Sequence, residues 1–145
     1  MSKEHELYDQ VNRLKWHGHY STETGWTFLS APLTSTSFDG DSFSTTAKTL
    51  IDLSAVYGVP SNIKAVLVYV AVRDSDSAAT DTKLTLSPNN TAGEGIIFSP
   101  MTVNDRRYRG TALIPCNADG DIYYQIDASG SGTFDVWLTI WGYVM

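Results

Sequence analysis

The most telling pattern in the chain is the stretch 134–145, FDVWLTIWGYVM. Phe134, Val136, Leu138 and Ile140 alternate with Asp135, Trp137, Thr139, Trp141 and Tyr143. Successive side chains of a strand face opposite sides of its sheet, so this pattern predicts a strand with one aliphatic and one aromatic face. An exposed sheet face normally carries Thr, Ser and Lys. Large amphipathic rings in that place point to a surface covered by another subunit or a ligand.

Ala65 to Arg73 predicts a second, central strand. Val66, Val68, Val70 and Val72 share one face, and Leu67, Tyr69 and Ala71 the other. Both faces are apolar, so both are expected to be covered. Shorter strands are expected at Trp26–Leu29, Thr49–Leu53, Lys83–Ser87, Gly95–Ser99, Arg107–Ile114 and Ile122–Asp127, with turn-forming residues between them at 60–62, 87–90, 117–120 and 129–132. Roughly seven to nine short strands with regular turns predict an all-β chain, an antiparallel β-sandwich of jelly-roll-like form.

The N-terminal stretch differs. Charge concentrates there, and Leu7, Val11 and Leu14 recur at helical spacing, predicting a short helix over Glu4–Leu14. So short a helix is marginal alone, and its apolar stripe needs a partner. Residues 1–33 are expected to form an extended docking arm and residues 34–145 the sandwich domain. Leu7, Val11, Leu14 and Trp16 are the candidate docking anchors.

Composition narrows the functional classes. A chain of 145 residues is expected to be one domain that buries roughly 68–70% of its unfolded surface without staples. Charged residues make up 18%, below the usual figure of about a quarter, which fits a protein hiding surface in contacts. The net charge is −6 and no long Lys/Arg run occurs, so no nucleic-acid partner is expected. One cysteine, Cys116, leaves no internal disulfide. The charged N-terminus has no apolar signal core, and the longest apolar run, Ala65 to Val72, is too short to span a bilayer, so a soluble protein of cytosolic synthesis without membrane insertion is expected. The sequon at Asn89 is then without consequence.

Candidate chemistry is sparse. His17 and His19 share a face if the segment is extended, and three such pairs on a threefold axis would offer six nitrogens to a metal such as iron. The alternative is two solvent-facing residues around Gly18. Asp39-Gly40-Asp41, Asp74-Ser75-Asp76 and Asp119-Gly120-Asp121 resemble fragments of calcium loops, but lack the distal Glu, and turn aspartates bonding their own backbone explain all three. All three histidines (His5, His17 and His19) precede residue 20, and no nucleophile motif occurs, so neither an enzyme nor a cofactor is expected. Arg106-Arg107-Tyr108-Arg109 is the densest basic spot. The rings of Tyr69, Trp137, Trp141 and Tyr143 fit a sugar platform, a subunit interface or a sandwich core, and interleaving with aliphatics on two strands favours the interface.

The segments Pro32–Asp41 (PLTSTSFDGD), Ile51–Pro60 (IDLSAVYGVP), Lys64–Val68 (KAVLV), Phe134–Trp137 (FDVW) and Trp141–Tyr143 (WGY) carry a further signal. Together they resemble small β-sandwich domains of tailed-bacteriophage virion proteins, found at the C-terminal ends of tail fibres and related appendages. The resemblance covers residues 32–145. It implies a homotrimer with a structural role in the virion, assembled in the host cytoplasm, with host-surface recognition through distal loops. The chain has an arm but no fibre shaft, which suits a small tail-fibre or tail-tip appendage. A capsid decoration protein of the same fold and a free carbohydrate-binding module are the alternatives. The expected partners are sister copies, virion proteins met by the arm, and a host-surface glycan. The loops Asp74–Thr80 and Asn89–Glu94 are the recognition candidates.

Overall fold

A computed structural model of the protein describes residues 25–76, 82–100, 103–128 and 133–145. Nine strands and two short helical turns make up the described chain. The strands are β1 (Trp26–Leu33), β2 (Asp39–Phe43), β3 (Thr46–Ile51), β4 (Ala65–Asp74), β5 (Lys83–Ser87), β6 (Ile96–Phe98), β7 (Arg107–Pro115), β8 (Ile122–Asp127) and β9 (Phe134–Val144). A 3-10 turn (Thr36–Phe38) separates β1 from β2, and a helix, α1 (Leu53–Tyr57), follows β3.

Two antiparallel sheets pack together, as expected of an all-β sandwich. The first, sheet A, has the order β1-β9-β4-β7, with β2 pairing the N-terminal half of β9 on the same edge as β1. Sheet B has the order β3-β8-β5-β6. The aliphatic rows read from the sequence meet between the sheets. Val66, Val68, Val70 and Val72 of β4, Phe134, Val136, Leu138 and Ile140 of β9, Leu84 and Leu86 of β5, and Ile122 and Ile126 of β8 are all buried in one cluster. Burying each such side chain contributes about 1.5–3 kcal/mol, so these rows fix which face of each strand turns inward.

Three elements go beyond what the sequence pattern marks. The strand expected at Trp26–Leu29 within the arm extends to Leu33 as β1 and runs along β9. Asp39-Gly40-Asp41, expected as turn aspartates, lie in a strand, and residues 39–43 form β2; a bulge at Gly40 (φ +84) lets the strand continue past it. Leu53, expected as the end of the strand from Thr49, instead begins a helix, and residues 53–57 form α1. Asp52 caps it by accepting from the Ala55 N–H (3.0 Å), and Gly58 ends it in the left-handed region at φ +77. The arm residues up to 24, with the expected helix, lie outside the described residues.

The gap between β1 and β2 is closed by side chains. β1 leaves β9 at Ile140 and β2 rejoins it at Trp137, so no strand lies beside Leu138 on that edge. The Tyr57 hydroxyl fills the place by donating to the Leu138 carbonyl (2.9 Å). Around it, Phe38 packs against Tyr57, Phe43 and Tyr124 with ring centroids 5.3–6.5 Å apart.

Candidate functional site

The outward face of sheet A is the candidate site. It is built from residues that alternate with the buried rows: Leu67, Tyr69, Ala71 and Arg73 on β4, Asp135, Trp137, Thr139 and Trp141 on β9, and Arg107, Arg109, Thr111 and Leu113 on β7. Pairing ties these into straight cross-strand rows. One row runs Ser42, Asp135, Arg73, Arg107; the next runs Asp39, Trp137, Ala71, Arg109; the next Thr139, Tyr69, Thr111. Polarity therefore changes along the strands, from charged at one end to apolar at the other.

At the charged end, Asp135 is buried and fully engaged. Arg73 reaches its Oδ2 with Nε (2.9 Å) and Nη2 (2.5 Å), and Ser42 donates to its Oδ1 (3.2 Å). Such a pair holds the sheet only while both members are present, because a lone buried carboxylate is costly. Trp137 is packed by its own chain. The Arg107 guanidinium lies 4.0 Å from its ring centroid and that of Arg73 5.6 Å. Gly40 comes so close to the indole that a Cβ there would lie 2.6 Å from it.

The apolar end is different. Pro32, Leu67, Tyr69, Thr111, Thr139 and Trp141 line an open, almost wholly apolar groove of about 640 Å³. Its surroundings are also apolar: Phe28 is 67% exposed, Leu113 41% and Trp141 itself 38%. Trp26 stacks on Phe28 at a centroid distance of 5.7 Å. Contiguous exposed apolar surface of this kind marks an interaction site.

Of the four residues predicted for the aromatic face, three lie on it and one does not. Strict alternation puts Tyr143 beside Trp141. A register shift between Leu67 and Val68 places Gly142 opposite Leu67 and Tyr143 opposite Val66. Tyr143 therefore turns inward and packs against the core. The signal for this was Gly142, since a glycine inside a strand often marks a bulge or a close approach. A Cβ at Gly142 would lie 2.7 Å from the Thr27 carbonyl oxygen.

The other candidates fall out as follows. Leu7, Val11, Leu14, Trp16, His17 and His19 lie outside the described residues. In two of the aspartate triplets a carboxylate accepts from a backbone N–H. Asp74 accepts from the Asp76 N–H (2.9 Å), and Asp121 accepts from the Leu53 N–H (2.9 Å). Burial raises the Asp121 carboxyl above its ordinary value against that hydrogen bond. Burial also pushes the Cys116 thiol up to about 12, with the Asp121 charge adding to it, so the thiol stays protonated and weakly nucleophilic.

The recognition candidate Asn89–Glu94 is exposed, and it is held against sheet B. Lys48 donates to the Ser87 hydroxyl and to the Glu94 carbonyl (2.6 Å), and Gln125 accepts from the Gly93 N–H (3.0 Å). Asn89 bonds the Glu94 carboxylate (3.1 Å). Sequence reasoning missed Lys48, because nothing local links it to residues 46 positions away. No protein-family model matches the chain, and no curated protein matches it.

Proposed function

We propose that this chain is a structural protein of a tailed-bacteriophage virion, a homotrimeric tail-fibre or tail-tip appendage that binds the host surface. The observation that carries the reading is the apolar groove around Trp141 and Tyr69 on an otherwise complete sandwich. Its lining offers few polar groups, whereas a sugar needs several placed donors and acceptors. It suits an apolar partner surface better than a glycan, and a sister subunit is the simplest source.

The strand orders support a jelly roll. With β1 and β2 counted as one interrupted strand, each sheet has four positions, and every connection crosses between sheets except β5 to β6. With β1 inside sheet A, the docking segment is the stretch before it, carrying Leu7, Val11, Leu14 and Trp16. Recognition falls to loops such as Asn89–Glu94, which is exposed yet clamped in one shape, so little ordering cost remains on binding.

Sedimentation of the purified chain tests the reading. A trimer is expected, and a clean monomer overturns it. Deleting residues 2–20 should leave the trimer folded and abolish incorporation into particles. Imaging of the virion then separates a tail appendage from capsid decoration by position alone.

A further inference from the structure

The proposed trimer covers the groove without fixing how neighbouring copies are arranged around it. The two edges of sheet A supply that information. β2 forms one edge and β7 the other. Asp39 and Asp41 lie on the β2 edge; Arg107 and Arg109 lie on the β7 edge, with Arg106 just before it. All five are exposed. The carboxylates of Asp39 and Asp41, and the guanidiniums of Arg106 and Arg109, carry no hydrogen bond or ion pair among the described residues. The arginines stand out against a chain of net charge −6, in which Arg73, Arg106, Arg107 and Arg109 supply four of the ten basic residues.

The acid and base lie at the same height. Asp39 pairs with Trp137, Trp137 with Ala71, and Ala71 with Arg109. A single cross-strand row therefore begins with a carboxylate on one edge and ends with a guanidinium on the other, about 14 Å away across three strand spacings. Arg107 ends the adjacent row through Arg73, Asp135 and Ser42. Complementary patches on opposite sides of a subunit make a head-to-tail contact. Such a contact closes into a ring only when it produces no rise along the axis, which requires both patches at one level; patches at different levels give a helix.

We infer that copies of this chain join head-to-tail in a closed ring. The β7 edge of each copy, through Arg107 and Arg109, meets the β2 edge of the next, at Asp39 and Asp41. The axis runs roughly along the strands of sheet A. The outward face of sheet A turns toward it, so the Trp141 groove is covered in the same step. Charge sets the register and partner choice; apolar burial at the groove supplies most of the affinity. The inference rests on the homotrimer reading and adds which surfaces meet.

Charge exchange tests it. In sedimentation, the double variant R107E/R109E and the double variant D39K/D41K should each associate about tenfold or more weakly than the parent chain, because like charges then face each other. The quadruple variant carrying all four reversals should regain the parent trimer, since the pairs are restored in reverse. A quadruple variant that stays monomeric with a native circular dichroism spectrum overturns the inference, as do double variants that assemble like the parent. A parent chain that sediments as a dimer overturns it too, while a monomeric parent overturns the homotrimer reading itself. If a reversal unfolds the chain, the neutral pairs R107Q/R109Q and D39N/D41N replace it. They should weaken assembly and flatten its salt dependence; unchanged assembly overturns the inference.

Discussion

Tyr57 shows how one side chain completes a sheet. It is 5% exposed, and its hydroxyl donates to Leu138 where neither β1 nor β2 reaches β9. Phenylalanine would keep the ring contacts with Phe38 and leave the Leu138 carbonyl without its donor. Tyr57→Phe should therefore cost about 1 kcal/mol in denaturant unfolding at neutral pH. Burial raises the phenol well above its ordinary value of 10.0. The folded state thus favours the protonated form, and that contribution is fully present below the unfolded value. It is lost as pH rises beyond 10.0 toward the higher folded value. Parent and variant stability curves should converge over that alkaline range; a constant difference would mean that the hydroxyl is not the source.

At the scale of elements, alternation was enough for β4, β5, β8 and β9, because each has an unbroken apolar row bound for the core. It failed where the backbone breaks period. β2 reads Asp-Gly-Asp-Ser-Phe, with no apolar row to announce a strand, and it is held by pairing with β9. α1 has five residues, too few for a helical period, and only Asp52 and Gly58 at its ends mark it. The bulge near Gly142 turned Tyr143 to the core, a change that strict alternation cannot contain. The groove was legible as an aromatic face, whereas the clamp on loop 88–95 was not, because it depends on a long-range contact. Burial lowers the Lys48 ammonium below its ordinary value, with the Glu94 carboxylate opposing the shift. Lys48→Ala should leave the sandwich folded and release that loop. Hydrogen exchange at Gly93 should then accelerate by about tenfold or more, as expected when charge-assisted hydrogen bonds are lost. Unchanged exchange would mean that Gln125 holds the loop alone.

For the whole molecule, the two tryptophans of β9 separate folding from assembly, though they lie four residues apart on one face. Trp137 is packed from within, between Gly40 and the guanidiniums of Arg73 and Arg107. Trp141 is 38% exposed and lines the groove. Removing Trp137 takes packing out of the subunit itself, so Trp137→Ala should lower the unfolding free energy by about 2 kcal/mol. Removing Trp141 costs the isolated subunit less, because part of its ring already meets water. In the proposed trimer it is a buried aromatic anchor, so Trp141→Ala should weaken association by about 2 kcal/mol, roughly thirtyfold in dissociation constant. Thermal melts at low concentration read the first effect, and sedimentation over a concentration series reads the second. A Trp141→Ala chain that assembles as the parent does would remove the groove from the interface and leave the outward face of sheet A open for a different partner.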